Sequence, residues 1–158
     1  MSDRVQRNQE VIEQFRANGG QVSGFAGAGL LLLTHTGART GARYTSPLAY
    51  LPDRERLVVF AANGGRSTNP GWYHNLVAYP EAVVEVGSES FPVVASLLDG
   101  DERERVWAAQ VAVAPHFADF QAQTSRTIPV VALRRSDLFD VAAVAGGSAV
   151  GPVTQSGR

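Results

Sequence analysis

Six short apolar runs punctuated by turn residues constrain this chain more than any other feature. They are Leu30–Thr34, Tyr44–Leu51, Leu57–Ala62, Ala82–Val86, Phe91–Leu98 and Ile128–Leu133. Pro52-Asp53-Arg54-Glu55 and Gly87-Ser88 join neighbouring runs through tight turns, as hairpins require. Parallel strands need a long crossover, usually a helix, between every pair. Helical patterns separate few of these runs, so a small, mostly antiparallel barrel is favoured over a doubly wound sheet.

The helical segments fall around that core. Residues 3–18 suit a helix capped by Asp3 and stopped by Asn18-Gly19-Gly20, with Val11, Ile12 and Phe15 on one narrow apolar face. Such a face could pack on the domain, cover a site or make peripheral membrane contact, and packing is favoured. Asn69–Tyr79 reads as a helix with Asn69 as its cap, Pro70 in first position and Pro80 closing it. Asp101-Glu102-Arg103-Glu104 opens a third, with Val106, Trp107, Gln110 and Val111 on one face, and Pro115 starts a short piece carrying His116, Phe117 and Phe120. Residues 21–29 are rich in Gly and Ala, but their spacing is wrong for a GxGxxG loop and no strand precedes them. The organisation expected is an N-terminal helix over 1–20, a barrel over 21–135, and a loose tail over 136–158.

Composition bounds the chemistry. A chain of 158 residues fits one domain, and a net charge of −1 gives no global pull towards nucleic acid, so any basic site must be local. All fourteen basic residues are arginine and cysteine is absent. Lysine bases, Schiff bases, thiol nucleophiles and disulfides are thereby excluded. The first twenty residues are too polar for a secretory signal, and Val22–Leu33 is interrupted and too short for a membrane span, so the cytoplasm is the expected location.

Two elements favour an anion. The loop Thr34–Arg43 gathers Arg39, Thr40 and Arg43 with two glycines, donors suited to a phosphate or carboxylate; a solvated hairpin loop would have the same composition. The helix start at Asn69-Pro70-Gly71-Trp72 presents unpaired first-turn amides, although every helix start does so. Both flank one hairpin, which makes a shared ligand more plausible than either does alone. Tyr44, Trp72 and Tyr73 could stack on a ring system, although packing is the commoner role. His35, His74 and His116 lack metal-ligand spacing, and no GxSxG or Ser/His/Asp pattern appears.

The runs TGARTGARYTSPL, RLVVFAANGG, NPGWYHNL and RTIP, in this order and spacing over about residues 28–135, resemble the deazaflavin-dependent nitroreductase family. The resemblance implies a split β-barrel of the FMN-binding-like type, mainly β with flanking helices and about six antiparallel strands. It implies an oxidoreductase that moves a hydride from reduced coenzyme F-420 (8-hydroxy-5-deazaflavin) to a small acceptor: a quinone, an activated alkene or a nitro-aromatic. FMN is the alternative cofactor, and a non-catalytic F-420 carrier is the alternative function. By the same resemblance, Ala38, Arg39 and Thr40 contact the cofactor's phosphate tail, with Arg43 beside them. The strand Tyr44, Thr45, Ser46, Pro47, Leu48 and Ala49 passes along the cofactor. Phe60, Ala61, Ala62 and Asn63, then Gly71, Trp72, Tyr73, His74 and Asn75, line the other side. No protein group is assigned a catalytic role and no metal is expected, since the cofactor carries the reactivity.

The chain departs from the family pattern in three places. Tyr44 stands where an arginine is frequent, and Asn63 where a lysine can sit, with Arg66 able to compensate. Ala114, Phe117 and Phe120 stand where nitroimidazole-reducing members carry tyrosines. An acceptor pocket without those hydroxyls is expected to prefer flat apolar quinones to nitroimidazoles. Monomer and homodimer both remain open.

Overall fold

The computed structural model describes residues 3–22 and 29–136. Residues 23–28 of the glycine-rich stretch 21–29, and 137–158 of the expected tail 136–158, lie outside the described residues. Seven strands form one sheet: β1 (Leu30–Thr36), β2 (Arg43–Ala49), β3 (Leu51–Asp53), β4 (Arg56–Phe60), β5 (Glu81–Val86), β6 (Glu89–Leu97) and β7 (Val130–Arg135). Four helices flank it: α1 (Asp3–Ala17), α2 (Gly71–Ala78), α3 (Gly100–Val113) and α4 (His116–Ala122). The order across the sheet is β2-β1-β5-β6-β7-β4-β3, every pair antiparallel.

That order shows why the sheet curls. β2 is one edge and β3 the other, yet only Tyr50 separates them in sequence. A single residue spans less than about 4 Å, so the two edges must lie next to each other. The result is a barrel closed by the chain itself, with no ladder of hydrogen bonds between β2 and β3. The expected single strand Tyr44–Leu51 is thus two strands, which raises the count from six to seven.

The apolar runs read as continuous because both faces of the sheet are covered. Leu31 and Leu33 point inward with Val59, Ala61, Val84, Val93 and Leu133, where Trp72 and Leu76 of α2 plug the barrel. Leu30 and Leu32 point outward onto Ile12 and Phe15 of α1. The apolar face of α1 therefore packs on the sheet, and Arg16 clamps it with two bonds to Glu85 of β5, at 3.1 and 2.8 Å. Over β4 and β7, Val58, Phe60 and Val130 meet Val106 of α3 and Phe117 of α4.

Helix starts differ from the sequence reading in one informative place. Asn69 does not cap α2, whose cap is Pro70 with no side-chain hydrogen bond. The Asn69 Oδ1 instead accepts from Arg126 Nη1 at 2.7 Å. A half-buried guanidinium with acceptors in reach outcompetes a helix amide for that oxygen.

Candidate functional site

A groove of about 820 Å³ opens along β2. Five consecutive residues of that strand line it: Tyr44, Thr45, Ser46, Pro47 and Leu48. Successive side chains of a strand point to opposite faces, so only an edge can present five in a row. The groove therefore runs along the unpaired edge of β2, where backbone groups face a ligand and Pro47, which has no amide hydrogen, costs no ladder bond. The opposite wall is Phe60, Asn63, Asn69, Pro70, Gly71, Trp72 and Asn75. Asn8, Gln9 and Ile12 of α1 roof one side.

Within one face of the β1–β2 hairpin the chemistry changes along its length. Leu31, Leu33 and Leu48 belong to the barrel interior, whereas His35, Tyr44 and Ser46 continue the same face to the mouth. His35 is only 4% exposed. Its Nε2 lies 2.9 Å from Ser46 Oγ and its Nδ1 3.0 Å from Asn75 Nδ2. Asn75 Oδ1 in turn accepts from the Ala38 amide at 2.9 Å. Burial lowers the His35 pKa to about 4, so the ring is neutral at physiological pH. Tyr44, 47% exposed, stands over the mouth with its ring 6.1 Å from His35.

The loop between β1 and β2 is tightly made. Gly37 N donates to Ala42 O at 2.7 Å, and Gly41 N to Gly37 O at 2.9 Å. Thr40 Oγ1 accepts from Ala42 N at 3.1 Å and meets Tyr44 Oη at 3.3 Å. Arg39 and Arg43 are exposed at this end, beside the groove residues Tyr44 and Asn75 to which the loop is tied.

Of the residues expected at the site, ten line the groove: Tyr44 to Leu48, Phe60, Asn63, Gly71, Trp72 and Asn75. Ala38, Arg39, Thr40 and Arg43 form the loop at its end. Ala49, Ala61, Ala62, Tyr73 and His74 are not among the lining residues; Ala61 and Ala62 are buried and His74 is exposed. Trp72 is a plug of the core as well as a wall. Ala114, Phe117 and Phe120 do not line the groove either. They pack behind Phe60, with the Phe117 ring edge-on to it at 5.8 Å and to Phe120 at 5.2 Å.

Two participants were missed in the sequence. His35 falls in no motif, and only its place one residue beyond an apolar run marks it as facing the groove. Arg126 entered only as part of a motif. Its guanidinium donates to Ala61 O at 3.1 Å, Ala62 O at 2.8 Å, Arg66 O at 3.0 Å and Asn69 Oδ1 at 2.7 Å. It is the scaffold of the wall from Phe60 to Pro70. Arg66 donates to Asn63 O at 3.4 Å, a weak bond that keeps it near the same turn.

As a chemical surface, the groove pairs apolar walls (Pro47, Leu48, Phe60, Trp72) with a few hydroxyl and amide groups and with cations at one end. Its size suits a ring system of cofactor dimensions. Residues 6–135 match the family model described as F420H(2)-dependent quinone reductase. A protein of Mycobacterium tuberculosis named F420H(2)-dependent quinone reductase is 38% identical over 108 aligned positions, with 66% of this chain and 72% of that one covered. A solved structure described as an F420-H2 dependent reductase (FDR-A) aligns with a TM-score of 0.62 at 34% identity, over 66% of this chain and 93% of its own. Another, described as a domain-swapped dimer, aligns with a TM-score of 0.65 at 31% identity, over 84% of this chain and 98% of its own.

Proposed function

The chain belongs to the F420H(2)-dependent quinone reductase family, and from that premise we propose how its own groove carries out the reaction of an F-420-dependent reductase. The observation that carries the proposal is the free edge of β2, flanked by apolar walls and ended by the arginine loop. When bound, the reduced deazaflavin supplies the hydride. The protein supplies binding, orientation and exclusion of water.

Arg39 and Arg43 hold the anionic tail through charge-assisted bonds at the open end of the groove. Pro47, Leu48, Phe60 and Trp72 form the dry walls against which a flat ring lies, and Tyr44 closes over the mouth. Hydrogen-bonding edges of the ring meet the unpaired backbone of β2, the Ser46 hydroxyl and the Asn63 side chain. The acceptor comes to the side backed by Phe60, behind which the Trp107 and Phe117 rings stand edge-on to it and Phe120 packs against Phe117. With no tyrosine hydroxyl there, a flat apolar quinone is the preferred acceptor and a nitroimidazole a poor one. Among the described residues no helix is long and apolar enough to cross a membrane. The packed apolar face of α1 supports a protein that meets its acceptor without a helical membrane anchor in that segment.

The test is a fluorescence and absorbance titration with F-420, FMN and haem, followed by turnover with menadione and a nitroimidazole. Selective F-420 uptake and faster menadione reduction are expected. Preference for FMN, or faster nitroimidazole reduction, overturns the assignment of cofactor or of acceptor respectively. Tight F-420 binding with no reoxidation by any quinone would mark a carrier. Replacing Arg39 and Arg43 with glutamine should weaken F-420 about tenfold while sparing a deazaflavin that lacks the anionic tail.

A further inference from the structure

The side chains at the groove mouth form a chain of hydrogen bonds whose direction is fixed from one end. The Ala38 amide can only donate, so the Asn75 atom 2.9 Å away must be its carbonyl oxygen. The other branch of Asn75 is then its NH₂, which faces His35 Nδ1 at 3.0 Å. An NH₂ can only donate, so Nδ1 must be bare. A neutral imidazole with a bare Nδ1 carries its hydrogen on Nε2, and that hydrogen faces Ser46 Oγ at 2.9 Å. Ser46 therefore accepts from His35, and its own hydroxyl hydrogen is left to point elsewhere. Ser46 has no other hydrogen-bond partner among the described residues, and it lines the groove beside Tyr44 and Pro47.

We propose that Ser46 is a dedicated hydrogen-bond donor to the ligand in the groove, and that His35 is the positioning residue that keeps the Ser46 hydrogen turned towards it. The partner is an acceptor atom on the flat ring system, a carbonyl oxygen or a bare ring nitrogen, because the Ser46 hydrogen finds no acceptor among the described residues, and a ligand donor would use only the second lone pair of Oγ and leave that hydrogen unpaired. The inference rests on the family reading for the ring's identity as the deazaflavin. It adds that a carbonyl or ring-nitrogen edge of that ring lies at Ser46, away from the tail held by Arg39 and Arg43. The low pKa of His35 keeps the arrangement in place across the physiological range. A hydroxyl that accepts from a fixed N–H is polarised and donates more strongly than a lone serine.

The tautomer is tested in the wild-type protein labelled with ¹⁵N-histidine, by long-range ¹H–¹⁵N correlation between pH 5.5 and 8. One histidine is expected with Nε2 protonated and Nδ1 bare throughout, and that signal should vanish in His35→Gln. A His35 protonated at Nδ1 overturns the proposal. The donor is tested by F-420 titration of Ser46→Ala, His35→Gln and His35→Asn, with near-UV circular dichroism reporting the fold. Glutamine places an N–H donor at the position of Nε2, whereas asparagine replaces only the acceptor that Nδ1 provides.

Ser46→Ala and His35→Asn are expected to bind F-420 about tenfold more weakly, and His35→Gln within about threefold of wild type. The absorbance maximum of bound cofactor should shift in the first two and not in the third, a change that a merely structural role would not produce. Wild-type affinity and spectrum in Ser46→Ala overturn this inference alone. A wild type that takes up no F-420 overturns the family reading and this inference together.

Discussion

Acidifying the protein from pH 7.5 to pH 5 should cost it stability through one residue, His35. The ring is almost wholly buried and its pKa is lowered from 6.5 to about 4 by burial. Between those values the unfolded chain binds a proton that the folded chain refuses. Stability is therefore complete above pH 6.5 and is lost progressively as the pH falls towards 4. With these two values, the loss between pH 7.5 and pH 5 is about 2 kcal/mol. For a denaturation slope of about 2 kcal/mol/M, the urea midpoint should fall by about 1 M. Asp53 does not contribute in this window, because its carboxyl titrates lower still, at about 2. The assay is urea unfolding at both pH values for the wild type and for His35→Gln, which has nothing to titrate at that position. The variant should lose much less than the wild type on acidification, whatever its stability at pH 7.5. Equal losses in both proteins would refute the assignment of the acid sensitivity to His35.

Three further outcomes follow from particular contacts. A methyl group at Gly37 would lie 2.8 Å from the Tyr44 ring and 2.9 Å from Thr40 Oγ1, so Gly37→Ala should cost about 1–3 kcal/mol in urea unfolding and weaken F-420 binding in a fluorescence titration by disturbing the arginine loop. Arg126→Lys keeps the charge but loses the planar fork that reaches four acceptors; it should lower the urea midpoint and raise the F-420 dissociation constant together, with no recovery at high salt. Asp53, held below the usual carboxylate range first by Arg105 and also by Arg56, contributes stability above pH 3.8 that is lost as the pH falls towards 2; Asp53→Asn should flatten the acid limb of the stability profile below pH 4, measured by urea midpoints, and leave the limb between pH 7.5 and 5 unchanged.

The sequence disclosed elements whose signal is local and hid those set by closure. The hairpin β5–β6 could be read because Gly87, at φ 60°, supplies the turn and the two-residue loop sets the register, with Val86 opposite Glu89. The helix 3–18 and its packed face could be read for the same reason. The division of Tyr44–Leu51 into two strands could not, since nothing in Ala49-Tyr50-Leu51 breaks extended structure; the division arises only because the sheet's edges meet there. Arg39 and Arg43 announced themselves by composition and Gly71–Trp72 by the Pro before them. The contacts of His35 with Asn75 and with Ser46 did not, because the partners are forty and eleven positions apart, and no short motif records a contact of that range. Arg126 was invisible as a scaffold for a related reason. Three of its four acceptors are backbone carbonyls, and a carbonyl leaves no mark on residue type.

The placement of the site follows from the same closure. A fully hydrogen-bonded barrel would have no free strand edge, and its mouth would offer a ligand side chains alone. Here the chain passes from one edge of the sheet to the other through Tyr50 before the edges can pair, so β2 keeps an unpaired backbone along its length. An exposed edge invites pairing with another chain unless something covers it. Along Tyr44–Leu48 the cover is supplied on one side by Asn8, Gln9 and Ile12 of α1 and on the other by the wall from Phe60 to Asn75. Between the two remains a slot bounded by a strand edge and apolar faces, which suits a planar ring with hydrogen-bonding atoms along one side. The gap in the barrel and the binding groove are one feature. Substitutions in α1 that uncover the β2 edge should therefore affect ligand affinity and self-association together.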